Sequence, residues 1–356
     1  MLRTDWSRIH ETGGFHLYTL PLACMSFLYG IGVKVRNLSL KNKGKKLPGF
    51  VLSIGNITTG GTGKTPATIM FARWAKSQGY NVAILSRGYG GKYQEDTAVV
   101  SDGKEILLTQ EISGDEPWLM ANALKSIPVI VSQTRYLAGL KAKNDFNSNF
   151  FILDDGFQHI RLKRDMDVVL ADAKSPFGNG HLLPWGPLRE PLSGLKRADA
   201  VLFTRSRNFH PEKYKKSVFK KPMFMGDHVP DKIIFPSGKK VVDLSYLNGK
   251  RVSAFSGIAK PVSFKKSLLN LGANVVSFKA FGDHYPFRKK DLEKLIRELE
   301  DFRGDILITT EKDWARIRDM TKNIKNLAFL TINFVITSGK DELLNMIREK
   351  ADSVIK

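Results

Sequence analysis

The segment "PGFVLSIGNITTGGTGKTPATIMF", residues 48–71, constrains the fold more than any other stretch of this chain. Its apolar run reads as a buried strand, Gly60, Gly61 and Gly63 form a tight loop, and Lys64 to Gln78 carry the spacing of a helix. In a strand–loop–helix unit of this kind, backbone N–H groups and a helix N-terminus face a phosphate. The ending Gly63-Lys64-Thr65 adds a lysine for the β and γ phosphates and a hydroxyl for Mg²⁺. The strict G-x-x-x-x-G-K-[ST] spacing asks for glycine at 58, where the chain has Thr58. The expected cradle is therefore Gly60, Gly61, Thr62, Gly63, Lys64 and Thr65, with Lys64 also serving catalysis at the transferring charge.

A second stretch completes such a site. "FFILDD", 150–155, is an apolar strand that delivers Asp154 and Asp155 to its C-terminal end, where a carboxylate holds Mg²⁺ directly or through water. Apolar segments at 81–86, 128–131, 167–172 and 199–205 read as further strands. Their alternation with helical or loop segments predicts a mostly parallel α/β sheet covered on both faces. From about Lys215 short apolar runs are broken by Pro and Gly, which reads as a linker with short strands over 216–249. A second alternation has strands at 251–255, 273–278, 305–309 and near 327–332, and helices at 261–271, 289–300 and 340–350. The expected organisation is an N-terminal segment over 1–46 packed on the first domain, a nucleotide-binding domain over 47–215, the linker, and a smaller α/β domain over 250–356.

Charge narrows the partners. Fifty-six Lys and Arg against 35 Asp and Glu leave a formal charge of +21, which favours nucleic acid, a phospholipid surface or a phosphorylated substrate. The single cysteine, Cys24, excludes an intramolecular disulfide framework and a cysteine-built zinc site, and fits a reducing compartment. The stretch "FHLYTLPLACMSFLYGIGV", 15–33, is almost uncharged and 19 residues long, near the lower range for a membrane span. His16, Pro21, Gly30 and Gly32 dilute it, and the absence of a small-x-small site argues against a cleaved signal peptide. Leu17, Leu20, Cys24, Phe27, Leu28, Ile31 and Val35 share one helical stripe, as in an interfacial helix or a helix packed on its own domain. Directly afterwards, "KVRNLSLKNKGKK" carries six Lys or Arg and no acid between Lys34 and Lys46, which tilts the reading toward an amphipathic helix on a membrane surface. Whether it spans or lies flat stays open.

Other residues give weaker signals. Arg87 and Tyr89 in "SRGYGG" follow a strand at the sheet edge expected to bear the cradle, though an ordinary glycine turn explains them equally well. Asp115 and Glu116 in "GDEPW" precede a helix, where a carboxylate is usually an N-cap. Asp283 and His284 in "FGDHYPF" sit in a glycine-containing loop and read as plain surface.

Taken in order, "GNITTGGTGKTP", "SRGYGG", "GDEP", "LDDGFQH", "LLPWGPLREP", "TR" at 204–205, "FSGIAKP", "FGDHYPF" and "TTEKDWARI" resemble the tetraacyldisaccharide 4'-kinases, the lipid A 4'-kinases of Gram-negative bacteria. The resemblance implies a two-domain P-loop fold with the active site between the domains. It implies ATP- and Mg²⁺-dependent phosphorylation of the 4'-hydroxyl of tetraacyldisaccharide 1-phosphate to lipid IVA, on the cytoplasmic face of the inner membrane. Nucleic acid is not an expected partner, and a monomer is expected. Carried onto matching positions, Asp115 corresponds to the catalytic base and His284 to its partner from the second domain. Lys64 and Thr65 belong to the cradle, Asp154 and Asp155 to the metal strand. Arg87, Gln158, His159, Arg189 and Glu190 fall in motifs around the site. Many relatives read Asp-His-His where this chain has Asp283-His284-Tyr285, so a second histidine has no counterpart here. The rival reading is an ATPase switch of the chromosome-partitioning type, whose "KGGxGKT" cradle carries lysine where this chain has Thr59.

Overall fold

In the computed structural model, which describes residues 19–40, 43–207, 209–321 and 324–355, the run after Pro48 forms β1 (Phe50–Asn56), buried along its whole length. A strand covered on both faces has no polar side to show, which explains its mainly apolar texture, with Ser53 and Asn56 the buried polar exceptions. The same continuous burial marks β2 (Val82–Ser86), β4 (Val129–Val131), β5 (Phe150–Asp154), β6 (Met166–Asp172) and β7 (Ala200–Thr204). An antiparallel edge strand, β3 (Ala98–Ser101), pairs with β4. β1 runs parallel between β5 and β6, with Ile54 opposite Asp154. The strand that feeds the cradle and the strand that carries the aspartates therefore end side by side.

The span expected as a linker with short strands, 216–249, holds one long strand as well as a short one. β8 (Met223–Phe235) pairs in parallel with β7 at its start and antiparallel with β13 (Leu327–Ser338) along its length. Gly226 and Pro230 look like breaks in the sequence, yet both fit the ladder. A Cβ on Gly226 would lie 2.4 Å from the Phe334 ring, and Pro230 sits where the register slips between Leu330 and Ile332. β13 continues into a parallel sheet with β12 (Ile306–Thr310), β10 (Arg251–Ser256) and β11 (Asn274–Ala280). One sheet of 13 strands thus joins both halves in the order β11-β10-β12-β13-β8-β7-β6-β1-β5-β2-β4-β3, and β9 (Lys240–Val242) pairs with β8. The final helix, Lys340–Ile355, also departs from the expected division, because Leu343, Leu344, Ile347 and Ala351 pack into the core around β1 and not into the second half.

The N-terminal helix covers Leu20–Leu40, so Lys34 and Arg36 belong to it and do not follow it. Small residues face the protein: Ser26 and Val33 are buried, and a Cβ on Gly30 would meet Leu182 at 2.8 Å. Phe27, Leu28, Ile31, Val35 and Leu38 are exposed instead. The apolar stripe read from sequence therefore points away from the body, which excludes a helix that buries it against its own domain. Its first member, Leu17, lies outside the described residues, as do residues 1–18 and Lys41. No described helix is long and apolar enough to cross a membrane.

Candidate active site

The cradle begins where β1 ends. Gly60 and Gly63 adopt φ of 99° and 86°, a region open to glycine at little steric cost. A side chain at Gly63 would also overlap the His228 imidazole, since its Cβ would lie 2.0 Å from Nε2. Carbonyls of the loop are anchored from β7: Thr204 Oγ1 donates to Thr62 O at 2.9 Å, and the Arg205 guanidinium donates to Gly61 O. The helix Lys64–Ser77 follows at once, burying Ala67, Thr68, Phe71, Ala72 and Ala75 on one face. Lys64 Nζ points back to the strand ends, 3.3 Å from Asn56 Oδ1 and 3.6 Å from Asp155 Oδ1. Thr65, beside it, is half-buried.

The two aspartates have separate surroundings. Asp154 is buried and accepts hydrogen bonds from Thr68 Oγ1 at 3.2 Å and Ser86 Oγ at 3.3 Å. Burial, then the Glu116 and Asp155 charges, push its carboxyl up to about 7. Asp155 is only half-buried; that partial burial raises its carboxyl, but Lys64 and then Arg189 outweigh it and hold the group below the usual carboxylate range. Arg189 Nη1 donates to both Asp155 oxygens, at 3.0 and 2.9 Å.

Asp115 opens the helix Asp115–Ala123 as its first residue, the cap position being Gly114. The N-cap reading is therefore corrected: its side chain turns to the second half of the molecule, with Oδ2 2.6 Å from Arg316 Nη2 and 3.3 Å from His284 Nδ1. On its other oxygen, Gln110 Nε2 donates to Oδ1 at 2.6 Å. Burial raises the Asp115 carboxyl, but His284, then Arg316 and Gln110, more than compensate and keep it well below the ordinary carboxylate range. Beside the pair, Lys312 Nζ meets Glu116 Oε1 at 3.3 Å, and Trp118 packs on Trp314 with centroids 6.2 Å apart. A carboxylate of the first half and a loop histidine of the second are thus in contact, near a phosphate cradle with two further carboxylates. Over residues 18–352 the sequence matches the family described as tetraacyldisaccharide-1-P 4'-kinase.

The chain belongs to the tetraacyldisaccharide-1-P 4'-kinase family. Curated relatives include a tetraacyldisaccharide 4'-kinase of Syntrophus aciditrophicus, 40% identical over 341 residues and covering 91% of each chain. That of Pelobacter propionicus is 38% identical over 331 residues, covering 93% of this chain and 90% of the relative. Among solved structures, Aquifex aeolicus LpxK in complex with ATP aligns with a TM-score of 0.72 at 33% identity, over 93% of this chain and 98% of that one. Because the family match extends through the second half, the partitioning-switch reading is set aside. The chain is a lipid kinase of lipid A biosynthesis.

The remaining predicted residues divide by surroundings. Glu190 is buried and holds Arg197 at 2.8 Å and Gln158 Nε2 at 2.9 Å, while Gln158 also donates to Asn56 O at 2.8 Å. These two fasten the loop after β5 to the end of β1. His159 is kept neutral at physiological pH, its imidazole lowered to about 4 by burial and then by Arg135 and its arginine neighbours. Arg87 is exposed and Tyr89 is 77% exposed, so both stand at the rim. Several site residues escaped the sequence reading. Arg135 is a buried arginine whose charge acts on both Asp154 and Asp155; Thr68 carries a hydroxyl to Asp154; Arg316 reaches Asp115. A fourth group crosses the halves: Asp172 pairs with Arg205 at 3.1 Å and with Lys260 of the second half. Arg205, Lys260 and Arg316 all lie inside the family-like motifs "TR", "FSGIAKP" and "TTEKDWARI", which was the available signal.

Proposed function

We propose that this chain carries the γ-phosphate of ATP to the 4'-hydroxyl of tetraacyldisaccharide 1-phosphate, forming lipid IVA, in the cleft between its two halves. The observation that carries the assignment of roles is the meeting of Asp115 and His284 across that cleft. Asp115 stays ionised, so it can accept the sugar hydroxyl proton in the transition state, with His284 orienting it or taking part in the relay. Lys64 exchanges its Asn56 and Asp155 contacts for the β and γ phosphates when nucleotide enters.

The donor set fits Mg²⁺. Thr65, Asp154 and Asp155 offer hard oxygen ligands at the joint ends of β1 and β5, and no cluster of three or more His, Cys, Asp or Glu forms a complete cage among the described residues. Mg²⁺ commonly takes one or two carboxylates and completes its shell with phosphate oxygens and water. When bound it would neutralise charge on the transferring phosphoryl group. Asp155 becomes available to it as Lys64 moves to the phosphates, while Arg189 keeps the carboxylate oriented.

The exposed stripe Phe27, Leu28, Ile31, Val35 and Leu38, flanked by Lys34, Arg36 and the lysines up to Lys46, supports a chain lying on the cytoplasmic face of the inner membrane. Both parts of the site come from one chain, in keeping with a monomer. The test incubates purified protein with γ-labelled ATP, Mg²⁺ and tetraacyldisaccharide 1-phosphate in detergent. Label in the lipid, at the 4' position, is the expected result; ATP hydrolysis with an unlabelled lipid fraction contradicts it.

A further inference from the structure

Arg316 ends a chain of contacts that begins deep in the second half. Its side chain is only 8% exposed, in the last turn of the helix Glu311–Ile317. Its Nη1 donates to Gly257 O and to Asp313 Oδ1, each at 3.1 Å. Asp313 is fully buried and itself accepts from Gly257 N at 2.9 Å and Thr310 Oγ1 at 2.7 Å. The guanidinium is therefore fixed by its own half before the first half contributes anything. Asp115 is the first-half partner that docks onto it, receiving Nε at 2.8 Å and Nη2 at 2.6 Å on a single oxygen.

The same Nη2 lies 2.9 Å from His284 Nδ1. A guanidinium nitrogen only donates, so in this contact Nδ1 accepts and the neutral ring carries its proton on Nε2. Nδ1 and Asp115 Oδ2 are then both acceptors, joined through the two hydrogens of one Nη2. Protonation of Nδ1 would replace that bridge with direct donation to Asp115, 3.3 Å away. The guanidinium thus touches both members of the pair and holds the ring beside Asp115. A lysine offers a point charge without the fork, and could not serve Asp115, His284, Gly257 and Asp313 together.

We propose that Arg316 is the positioning residue of the Asp115–His284 pair: a preset fork on the second half that aligns base and imidazole when the halves meet. The proposal rests on the assignment of Asp115 as the base. Initial-rate kinetics on full-length wild type, Arg316→Ala, Arg316→Lys, His284→Ala, Asp115→Asn and the Arg316→Ala/His284→Ala double variant separate the two ideas. Expected for Arg316→Ala is a kcat loss of at least about tenfold with KM for either substrate within about threefold, since alignment acts on the transition state. Arg316→Lys should fall between, and the double variant should be little worse than the slower of its two single variants. A loss expressed mainly in KM, or independent multiplication of the Arg316 and His284 effects, overturns the positioning role. Near-wild-type turnover in Asp115→Asn overturns the base assignment instead, and the Arg316–His284 coupling is still read from the other variants. If Arg316→Ala fails to fold, judged by its melting curve, Arg316→Lys with and without His284→Ala carries the same comparison, and wild-type kcat in Arg316→Lys contradicts the proposal.

Discussion

The hydroxyl of Tyr29 donates to the backbone carbonyl of Arg189 at 2.8 Å, and the guanidinium of Arg189 holds Asp155. One residue thus links the N-terminal helix to the carboxylate at the end of β5. The helix presents its large apolar side chains outward while Tyr29 ties it to the residue that holds Asp155. Arg36 Nη2 reinforces the seat by donating to Gln158 O at 3.0 Å.

Substituting the outward stripe should detach the chain from membranes and leave the cleft intact. Phe27→Ser, Ile31→Ser and Val35→Ser combined remove apolar area that no protein core uses. Sedimentation with anionic liposomes should fall severalfold while nucleotide binding is unchanged. Equal sedimentation of the variant would place the membrane contact elsewhere.

Lys64→Ala removes charge at the phosphates and no part of a hydrophobic core. Transfer should drop by about three orders of magnitude, with the melting temperature close to wild type. A residual rate above about one tenth would contradict the cradle assignment, given the usual weight of such contacts.

The Asp154 carboxyl sits at about 7, above its unfolded value of about 3.9, so the folded chain holds a proton that the unfolded chain has lost. This makes stability fall as pH rises between those values. In nucleotide-free, magnesium-free buffer, Asp154→Asn should therefore raise the melting temperature by a few degrees more at pH 8 than at pH 5. Equal shifts at both pH values would mean that the buried carboxyl does not titrate in this window.

Asp172 Oδ2 meets both Lys260 and Arg205, and Arg205 reaches the Gly61 carbonyl of the cradle. Asp172→Asn weakens both ion pairs and loosens the loop. KM for ATP should rise by about tenfold, with a smaller change in kcat, on the scale of a lost charged hydrogen bond. Steady-state kinetics at varied ATP read this directly, and an unchanged KM removes Asp172 from nucleotide binding.

What could be read in the sequence follows from how local each feature is. Lys64, Thr65, Asp154 and Asp155 were legible because a strand and its adjoining turn fix them, and parallel pairing of β1 with β5 then brings the two sets together. Asp115 looked like a cap because its neighbours describe only a helix start; Arg316 and His284, which define its surroundings, come from another part of the chain. β8 was hidden by Gly226 and Pro230, whose places in the ladder depend on Phe334 and on a register slip in β13. The stripe on the first helix was visible as periodicity. Its outward direction was not, because the inward contacts of Ser26, Gly30 and Val33 come from small side chains that carry little pattern.

A site assembled across two halves is tested most directly by the kinetics of Asp115→Asn, His284→Ala and the double variant, with both substrates varied. Groups that act as one unit are non-additive. Each single substitution should lower kcat by about a hundredfold or more while KM stays near wild type, and the double variant should be little slower than the slower single. Losses that multiply, or that fall on KM, would contradict a base and partner joined across the cleft.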